Sequence, residues 1–235
     1  MDNKECTEQF SQLSTPMIAD ACVRLKLAVR SMPAGLTALI PGSKVAGQAL
    51  PVRHYGSVDI FLEAMLQAKP GDILCIDDRG RNDQACIGDL TALEAECYGI
   101  AAMLVWGCHR DTDELVRIGL PIFSYGRHPS GPLKLETAEP KSIGLAELGS
   151  TTVESNDFVF IDSDGAVFVH KDHMSDVFTT AKQIYAAESK QAQLVRDGQN
   201  LHSQLMFDDY LKKRAVEPAL TFREHLRALA KSIEE

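Results

Sequence analysis

The order of apolar and polar stretches predicts alternating strands and helices in the middle of the chain. Short apolar runs flanked by glycine or proline are typical of buried strands, and apolar residues repeated at helical intervals are typical of amphipathic helices. In chain order the pattern predicts a strand over 72–77, a polar loop over 78–84, a helix from Ile87 to Gly99, a strand over 100–106 and a short helix from Asp111 to about Gly119. The apolar residues expected on the buried face of the first helix are Ile87, Leu90, Leu93 and Cys97.

The flanking segments add further elements of both kinds. The pattern predicts a helix from Thr15 to about Lys26, a strand from Lys44 to Arg53, a helix capped by Ser57 with Val58, Phe61, Leu62 and Met65 on one face, a hairpin of strands over 158–162 and 166–170, and a long helix capped by Asp172 and reaching Asp197. Beyond Ser203 it predicts two more helices separated by Pro218, the second opening with a capping box at Thr221 and Glu224. This tail is apolar enough to need a partner, either the chain's own core or a neighbouring subunit.

Two charged pairs stand at the starts of the two central helices. Gly88-Asp89 begins the first helix and Arg110-Asp111 the second, with 20 residues between Asp89 and Arg110. A helix, a strand and a loop take about that length, so both pairs are expected at the same edge of a sheet. Loops and helix N-termini at such an edge bind anions and small ligands. An arginine beside an aspartate there offers a carboxylate clamp and a metal ligand side by side.

Each of these residues also has a purely structural interpretation. Asp111 with Glu114 satisfies a capping box, and Asp89 in a first helical turn is favoured by the helix dipole. Arg110 could form an ion pair with Asp89 or Glu114. Two other groups resemble metal ligands, but their positions are more typical of exposed polar residues and loop formers; they are His170 with His173, and Asp77 with Asp78.

The spacing of the two pairs resembles the signature of the RraA-like family, which includes metal-dependent 4-hydroxy-4-methyl-2-oxoglutarate/4-carboxy-4-hydroxy-2-oxoadipate aldolases. The stretches 13–25 (LSTPMIADACVRL) and 68–77 (AKPGDILCID) and the long helix also resemble that family, over roughly residues 10–200. The resemblance implies an α/β fold of the swivelling β/β/α kind over residues 1–200. The helical C-terminal extension expected over 201–235 is a departure from the family, because it is longer than the minimal family fold. The resemblance also implies a homotrimer or a hexamer.

The resemblance further implies roles for individual residues. Asp111 would hold Mg²⁺ (or Mn²⁺) with waters, and Arg110 would bind the substrate and stabilise an enolate. The general base would be Asp89 acting through a water or, as second choice, Glu188 reaching a neighbouring subunit. The residues whose backbone N–H groups would hold the substrate carboxylate are Gly88, Asp89, Leu90 and Thr91.

Composition narrows the function classes. The net charge of −9 argues against nucleic-acid binding. No apolar run is long enough to predict a membrane span. Six cysteines without a Cys-x-x-Cys pair, of which Cys75, Cys97 and Cys108 lie in or beside predicted buried elements, indicate reduced thiols in a cytoplasmic protein. No lysine lies between Gly71 and Leu133, which disfavours a Schiff-base route to an enolate and favours a metal.

Two function classes therefore compete. The first is a metal-dependent lyase acting on a small 2-oxo acid, by retro-aldol cleavage of a 4-hydroxy-2-oxo acid to pyruvate, by oxaloacetate decarboxylation, or by both. The second is a non-catalytic regulator that binds a ribonuclease or another protein; a methyltransferase has little support because no glycine-rich cofactor loop follows the first strand. The chain departs from the aldolases at His109, where a small apolar residue is usual, and in its charged 78–84 loop. In that loop Arg79, Arg81 or Asn82 could meet a distal substrate carboxylate or merely solvate the loop.

Overall fold

The structure is a computed structural model that describes residues 1–137 and 141–229. Its helices are α1 Asn3–Phe10, α2 Thr15–Arg24, α3 Asp59–Met65, α4 Asp89–Cys97, α5 Thr112–Ile118, α6 Met174–Arg196, α7 Leu201–Gln204, α8 Phe207–Val216 and α9 Phe222–Ala228, with a 3-10 turn at Lys171–His173. Its strands are β1 Arg30–Ser31, β2 Thr37–Ala38, β3 Val45–Arg53, β4 Ile73–Asp77, β5 Ala85–Ile87, β6 Ala102–Trp106, β7 Cys108–His109, β8 Ile122–Ser124, β9 Leu145–Leu148, β10 Thr151–Glu154, β11 Asp157–Asp162 and β12 Gly165–His170. None of the described helices is both long and apolar enough to cross a membrane.

Eight of these strands form one mixed sheet in the order β1-β12-β11-β3-β4-β6-β8-β2. The central strands β3, β4, β6 and β8 run parallel, and the strands on either side of them pair antiparallel. The short strands β5 and β7 form a separate parallel pair, and β9 and β10 form a hairpin. Because β4, β6 and β8 are parallel, the loops that follow them meet at one edge of the sheet, where α/β proteins bind ligands.

Side chains of the central strands alternate between two faces that are covered differently. Leu74 and Ile76 of β4 pack in a cluster with residues of α3, α4 and α5. Ile73 and Cys75 face the opposite side and pack with residues of the β9–β10 hairpin. A third cluster joins β11 and β12 to α1, α2 and α6, with Phe160 fully buried in it. The helices that carry the two charged pairs, α4 and α5, therefore lie together in one cluster, and α6 lies in another.

The predicted strands over 72–77 and 100–106 correspond to β4 and β6, the predicted hairpin to β11 and β12, and the long helix to α6. Two helix starts differ from the prediction. Ser57 does not cap α3: the residue at the cap is Val58, which makes no side-chain capping bond and is exposed, as is Leu62. Asp172 lies within the 3-10 turn, and α6 itself begins after His173.

The predicted buried face of α4 is wrong. Leu90 is 76% exposed and Leu93 is 43% exposed, Cys97 is also exposed, and Ile87 belongs to β5. The residues of α4 that are buried are Thr91, Ala92 and Ala95. Small side chains let a helix approach a sheet closely. A prediction based on hydrophobicity alone therefore selected the wrong face of the helix. The leucine face of α4, defined as Leu90 and Leu93, points away from the chain's own core.

The C-terminal tail packs mainly on itself. Phe207, Tyr210, Phe222 and His225 form a cluster of ring contacts with centroid separations of 5.0–6.0 Å. The predicted capping box at the start of α9 is present, and the two helices expected beyond Ser203, on either side of Pro218, are α8 and α9. The short helix α7 precedes them and was not predicted. No described residue beyond Ile184 belongs to the three core clusters. The end of the expected 201–235 extension, residues 230–235, lies outside the described residues, and the division of the chain near residue 200 stays a prediction.

Candidate active site at the Arg110–Asp111 turn

The two charged pairs meet at the edge of the sheet. Gly88 follows β5 and Asp89 is the first residue of α4, whereas Arg110 and Asp111 connect β7 to α5. The pairing of β5 with β7 draws the two helix starts together, and Arg110 N–H donates to Ile87 O at 3.0 Å. Asp89 N–H donates to Asp111 Oδ2 across 3.4 Å. The predicted juxtaposition of the pairs is thus present in the structure.

Gly88 is the point of closest approach. Its backbone is extended, with φ −148° and ψ −164°, a conformation open to any residue. A β-carbon at this position, however, would lie 2.3 Å from Asp111 Oδ2 and 3.3 Å from Arg110 Cγ and Nε. Glycine is required here by space rather than by backbone angles. Because Gly88 has no side chain, the Asp111 carboxylate fits against its backbone, and we call this space the Gly88 cradle.

Asp111 stands at the N-cap position of α5, as the structural alternative expected, but its carboxylate does not act as the cap. Its backbone is left-handed, with φ 57° and ψ 39°, and its side chain makes no capping bond to α5. Glu114, the other half of the expected capping box, pairs with Arg117. A non-glycine residue in this region is uncommon and marks a position worth functional attention. The carboxylate is partly exposed, and its oxygens have the hard donor character that Mg²⁺ or Mn²⁺ prefers. Asp111 therefore fits a metal held by one carboxylate and waters.

Arg110 has no local structural role that accounts for it. Its Nε lies 3.4 Å from Asp111 Oδ2, and its side chain is 48% exposed. Among the described residues it forms no ion pair with Asp89 or Glu114, the partners expected from the structural alternative. Its guanidinium runs beside the backbone at Gly131, where a β-carbon would lie 2.9 Å from Nη1. The guanidinium is thus held beside a carboxylate while keeping donors free for a ligand.

The first turn of α4 supplies backbone donors next to this pair. Asp89 N–H reaches Asp111 weakly, and Leu90 N–H is taken by the Asp89 side chain at 2.7 Å. Thr91 follows in the same turn and is buried. A substrate carboxylate at this helix N-terminus would displace the Asp89 carboxylate from Leu90. The structure thus brings together the predicted residues Gly88, Asp89, Leu90, Thr91, Arg110 and Asp111.

A cleft of about 420 Å³ opens beside the pair. The segment after β8, residues 126–131, forms its far wall. His109 N–H donates to Gly126 O at 3.0 Å, and His128 N–H donates to His109 O at 2.9 Å. The residues that line the cleft are Arg110, Asp111, Thr112, Arg127, His128 and Pro129. Sequence reasoning missed Arg127 and His128, because only these nonlocal backbone bonds bring them to the site.

His109, a departure from the aldolases, is buried behind the site. Its Nδ1 lies 2.8 Å from Ser124 Oγ, and its Nε2 has no hydrogen-bond partner among the described residues. Burial, together with the nearby positive charge of Arg127, lowers the pKa of His109 below its usual value of 6.5. His109 is therefore held as a neutral ring that joins β7 to β8.

The charged loop over 78–84 is occupied by internal contacts. Arg79 and Arg81 both pair with Glu136, the latter through Nη2–Oε1 at 2.6 Å. The ring of Trp106 packs on Gly80, and a β-carbon at Gly80 would lie 2.7 Å from the ring. The backbone carbonyl of Trp106 accepts a hydrogen bond from Gly80 N–H at 3.0 Å. Trp106 also packs edge-on against Tyr125, with ring centroids 4.5 Å apart. These contacts account for the two loop arginines, Arg79 and Arg81, without a substrate.

Asp77 and Asp78 brace the ends of the strands. Asp77 pairs with Arg53 at 3.0 Å, and Asp78 Oδ1 lies 2.8 Å from His54 Nδ1 in a buried pair. With Cys86, the pair of Asp78 and His54 forms the one group of three possible metal ligands found in the described part of the chain. Its buried imidazole and thiol differ in character from the oxygen-rich surroundings of Asp111, so it is a separate feature.

Three further candidates lie away from the turn. Glu188 is on α6, which packs on α2 and belongs to a different core cluster from α4 and α5. We therefore expect any meeting of Glu188 with Arg110 to involve a neighbouring subunit. His173 ends the 3-10 turn, and His170, the last residue of β12, is its N-cap. Their rings are 6.3 Å apart, and His170 Nδ1 accepts from Asp172 N–H at 3.3 Å. They belong to no metal-binding group among residues 1–137 and 141–229.

The fold and the cleft define an α/β protein whose strand-end loops gather an arginine, an aspartate and a helix N-terminus at one edge of a mixed sheet. The chain belongs to the RraA-like family, described as Aldolase/RraA, which matches residues 15–168. A relative from Halalkalibacterium halodurans named "Putative 4-hydroxy-4-methyl-2-oxoglutarate aldolase" is 26% identical over 196 residues, which are 80% of this chain and 88% of the relative.

Solved structures agree with the family. An uncharacterised protein from Pseudomonas syringae pv. tomato superimposes with a TM-score of 0.74 at 21% identity, over 85% of this chain and 96% of its own. Streptomyces coelicolor RraAS2, titled an unusual member of the RNase ES inhibitor RraA protein family, superimposes with a TM-score of 0.69 at 26% identity. The match covers 79% of this chain and 94% of the RraAS2 chain. The expected RraA-like α/β fold with a curled sheet and a helical C-terminal segment is confirmed.

Proposed function

We propose that this protein is a divalent-metal-dependent lyase that acts on a small 2-oxo acid. The reaction would be retro-aldol cleavage of a 4-hydroxy-2-oxo acid to pyruvate, decarboxylation of oxaloacetate, or both. The observation that carries the proposal is the Asp111 carboxylate, which caps no helix and lies in the Gly88 cradle beside Arg110. The name of the Halalkalibacterium halodurans relative supports a lyase at the level of the family.

Each residue at the turn has a task in such a reaction. Asp111 and waters would hold Mg²⁺ or Mn²⁺, which when bound supplies Lewis-acid polarisation of the 2-oxo group. Arg110 donates to the 2-oxo oxygen and stabilises the negative charge that develops there. The N–H groups from Gly88 to Thr91 hold the adjacent carboxylate at the positive end of α4.

The bond changes follow from these positions. In a 4-hydroxy-2-oxo acid the hydroxyl gives its proton to the base and becomes a carbonyl as the C3–C4 bond breaks. The electron pair of that bond passes to the pyruvyl fragment as an enolate, and the C4 fragment leaves as an aldehyde or a ketone. A proton then returns to C3 and gives pyruvate. Oxaloacetate loses CO₂ by breaking the corresponding bond and reaches the same enolate. Asp89, through a water, is the first choice for the base, because its carboxylate already lies over the first turn of α4. Glu188 from a neighbouring subunit is the second.

We propose a homotrimer or hexamer with reduced thiols in the cytoplasm. The leucine face of α4 is exposed apolar surface that a neighbouring subunit would cover, and Tyr185 and Val195 are exposed on α6. All six cysteines are unpaired, and Cys97 is the exposed one.

A non-catalytic regulator is the second candidate. Similarity to Streptomyces coelicolor RraAS2, a protein titled as belonging to a family of ribonuclease inhibitors, favours it. Asp111 separates the two functions, because a protein-binding surface has no need of a metal-ligating carboxylate in a strained backbone conformation.

The test is pyruvate release from 4-hydroxy-4-methyl-2-oxoglutarate and from oxaloacetate, with Mg²⁺, with Mn²⁺ and with EDTA. Activity should disappear with EDTA and return with either metal. Asp111→Asn keeps a residue that tolerates the left-handed backbone and removes the charge, so it should be folded and inactive. Full pyruvate release by the chelated protein would overturn the metal assignment, and no release by the metal-loaded protein would favour the regulator.

A further inference from the structure

The cleft has a cationic wall that the reaction at Arg110 and Asp111 does not use. Arg127 and His128 line the cleft together with the Arg110–Asp111 pair. The volume of about 420 Å³ falls within the range of small-ligand sites. A pyruvyl group at Arg110 and Asp111 would occupy one end of this space, and the remainder of a longer substrate would extend towards Arg127.

We propose, resting on the 2-oxo acid lyase function above, that Arg127 and His128 form the subsite for a second, distal carboxylate of a 2-oxo dicarboxylic acid. This assignment replaces the earlier candidates Arg79 and Arg81. Those two arginines are paired with Glu136 and brace the 78–84 loop.

The ionic state of Arg127 supports the subsite. Among the described residues Arg127 has no carboxylate partner and is exposed on the cleft wall. Arginines elsewhere in the described chain are paired, as Arg53 at the end of β3 is with Asp77 and Arg117 on α5 is with Glu114. An unpaired guanidinium whose planar fork matches a carboxylate is the donor arrangement that recognises a diacid.

The backbone holds this wall in place. Segment 126–131 is bound to β7 on both sides of Arg127, through Gly126 O and His128 N–H. Beyond them, Ala85 N–H donates to Ser130 O at 2.8 Å, which ties the segment to β5 as well. The subsite and the reacting end of the cleft are therefore built on the same β5–β7 pair, so their separation is fixed.

His128 lies beside the arginine on the same wall. Its Nδ1 lies 3.2 Å from the backbone nitrogen and 3.4 Å from the backbone oxygen of Ser130. Because Nδ1 is engaged with this backbone, Nε2 is the ring atom left to meet a ligand. A guanidinium and an imidazole on one wall can contact the two oxygens of a carboxylate separately.

The test compares two non-cleavable 2-oxo acids of equal chain length. 2-Oxoglutarate and 2-oxopentanoate share the 2-oxo acid end and differ only in a distal carboxylate or methyl group. Calorimetry in the presence of Mg²⁺ should show wild-type protein binding 2-oxoglutarate more tightly. Arg127→Gln should weaken the binding of 2-oxoglutarate by at least about tenfold and the binding of 2-oxopentanoate much less. The reason is that a charge-assisted hydrogen bond is lost only with the diacid.

Three variants complete the design. Arg127→Lys should recover part of the 2-oxoglutarate affinity, since it keeps the charge and loses the fork. Arg117→Gln, an exposed arginine outside the cleft, should leave both affinities unchanged and serves as the matched control. Arg81→Gln tests the rival loop directly. The proposal would be overturned if Arg81→Gln selectively lost affinity for 2-oxoglutarate, or if Arg127→Gln lost affinity equally for both acids. Equal affinity of the wild-type protein for the two acids would also overturn it.

The outcome is separable from that of the proposed function. If 2-oxoglutarate binds through Arg127 but no pyruvate is released from 4-hydroxy-4-methyl-2-oxoglutarate, the lyase function fails and the diacid subsite stands. If pyruvate is released and Arg127→Gln shows no selectivity, the subsite fails and the lyase stands.

Discussion

The Oδ2 atom of Asp111 lies 2.3 Å from the place where a β-carbon of residue 88 would be, so Gly88 and Asp111 share one space. A side chain at Gly88 must push the carboxylate out of its cradle. Because the backbone of Gly88 is extended, such a change acts through contact with Asp111, and more mildly with Arg110, and not through backbone strain.

Gly88→Ala should therefore remove activity by displacing the metal ligand. We expect a fall in kcat/KM of at least about a hundredfold, comparable to the loss of a catalytic electrostatic group, together with weaker Mg²⁺ binding by calorimetry. Gly42→Ala is the matched control: Gly42 has a positive φ and open space around it, so its replacement should cost stability without touching the cleft. Equal Mg²⁺ affinity in Gly88→Ala and the wild type would contradict the cradle.

Arg110→Lys tests the guanidinium. The charge is kept, but the planar fork that suits an oxo-carboxylate is lost. We expect kcat for pyruvate release to fall by at least about a hundredfold, the scale seen when an oxyanion donor is removed. Arg117→Lys, which alters an exposed pair with Glu114, should turn over normally. Near-normal turnover by Arg110→Lys would reduce Arg110 to an ion-pair partner of Asp111.

His109 predicts a pH dependence of stability. Its folded-state pKa is lowered by burial and by Arg127, so the unfolded chain takes up a proton at a higher pH than the folded one does. The stabilisation is present above the unfolded pKa of about 6.5 and is lost as pH falls through the lower folded pKa. The free energy of unfolding from denaturant titrations should thus fall more steeply between about pH 7 and pH 5 in the wild type than in His109→Asn. If the wild type and His109→Asn gave parallel pH profiles, protonation of the His109 ring would not destabilise the folded protein.

The leucine face of α4 predicts the effect of a charge on assembly. Leu93 is 43% exposed in the single chain, so Leu93→Glu should leave a monomer folded and undisturbed. If the face is a subunit interface, the same change buries a charge and should lower the mass measured by light scattering. A wild-type protein that is monomeric and fully active at micromolar concentration would exclude a site shared between subunits.

Removing the tail tests the other exposed surface. Truncation after Gly198 deletes α7, α8 and α9 but none of the three core clusters. We expect the truncated protein to stay folded, with a lower thermal midpoint or a broken assembly. If truncation changes neither, the aromatic cluster around Tyr210 is an independent unit with no structural role for the rest of the chain.

The sequence predicted those parts of the fold in which local chemistry decides the outcome. Strands β4 and β6 follow from apolar runs between turn signals, and the capping box at Thr221 is a contact between near neighbours. The buried face of α4 was missed because close packing selected Thr91 and two alanines over larger leucines. Close packing depends on how near the helix lies to the sheet, which no local pattern records.

The site divides in the same way. The spacing of the two charged pairs predicted that they lie close together. The capping-box pattern at Asp111 did not predict the left-handed backbone of this residue. In the structure the Asp111 carboxylate lies against Gly88 beside the start of α4 and makes no capping bond to α5. Arg127 was not found at all, since its place in the cleft depends on hydrogen bonds to His109, which lies 18 positions earlier in the chain.

Trp106 is the chain's single tryptophan, and it lies against the loop that borders the active edge of the sheet. Indole emission depends on the polarity and the neighbours of the ring, so the intrinsic fluorescence of this protein comes from one place of known surroundings. Any ligand that shifts Gly80 or Tyr125 changes the two surfaces that enclose the indole. If a 2-oxo acid binds at this edge as proposed, a change in this emission would time its arrival in a stopped-flow mixing experiment with the unlabelled protein.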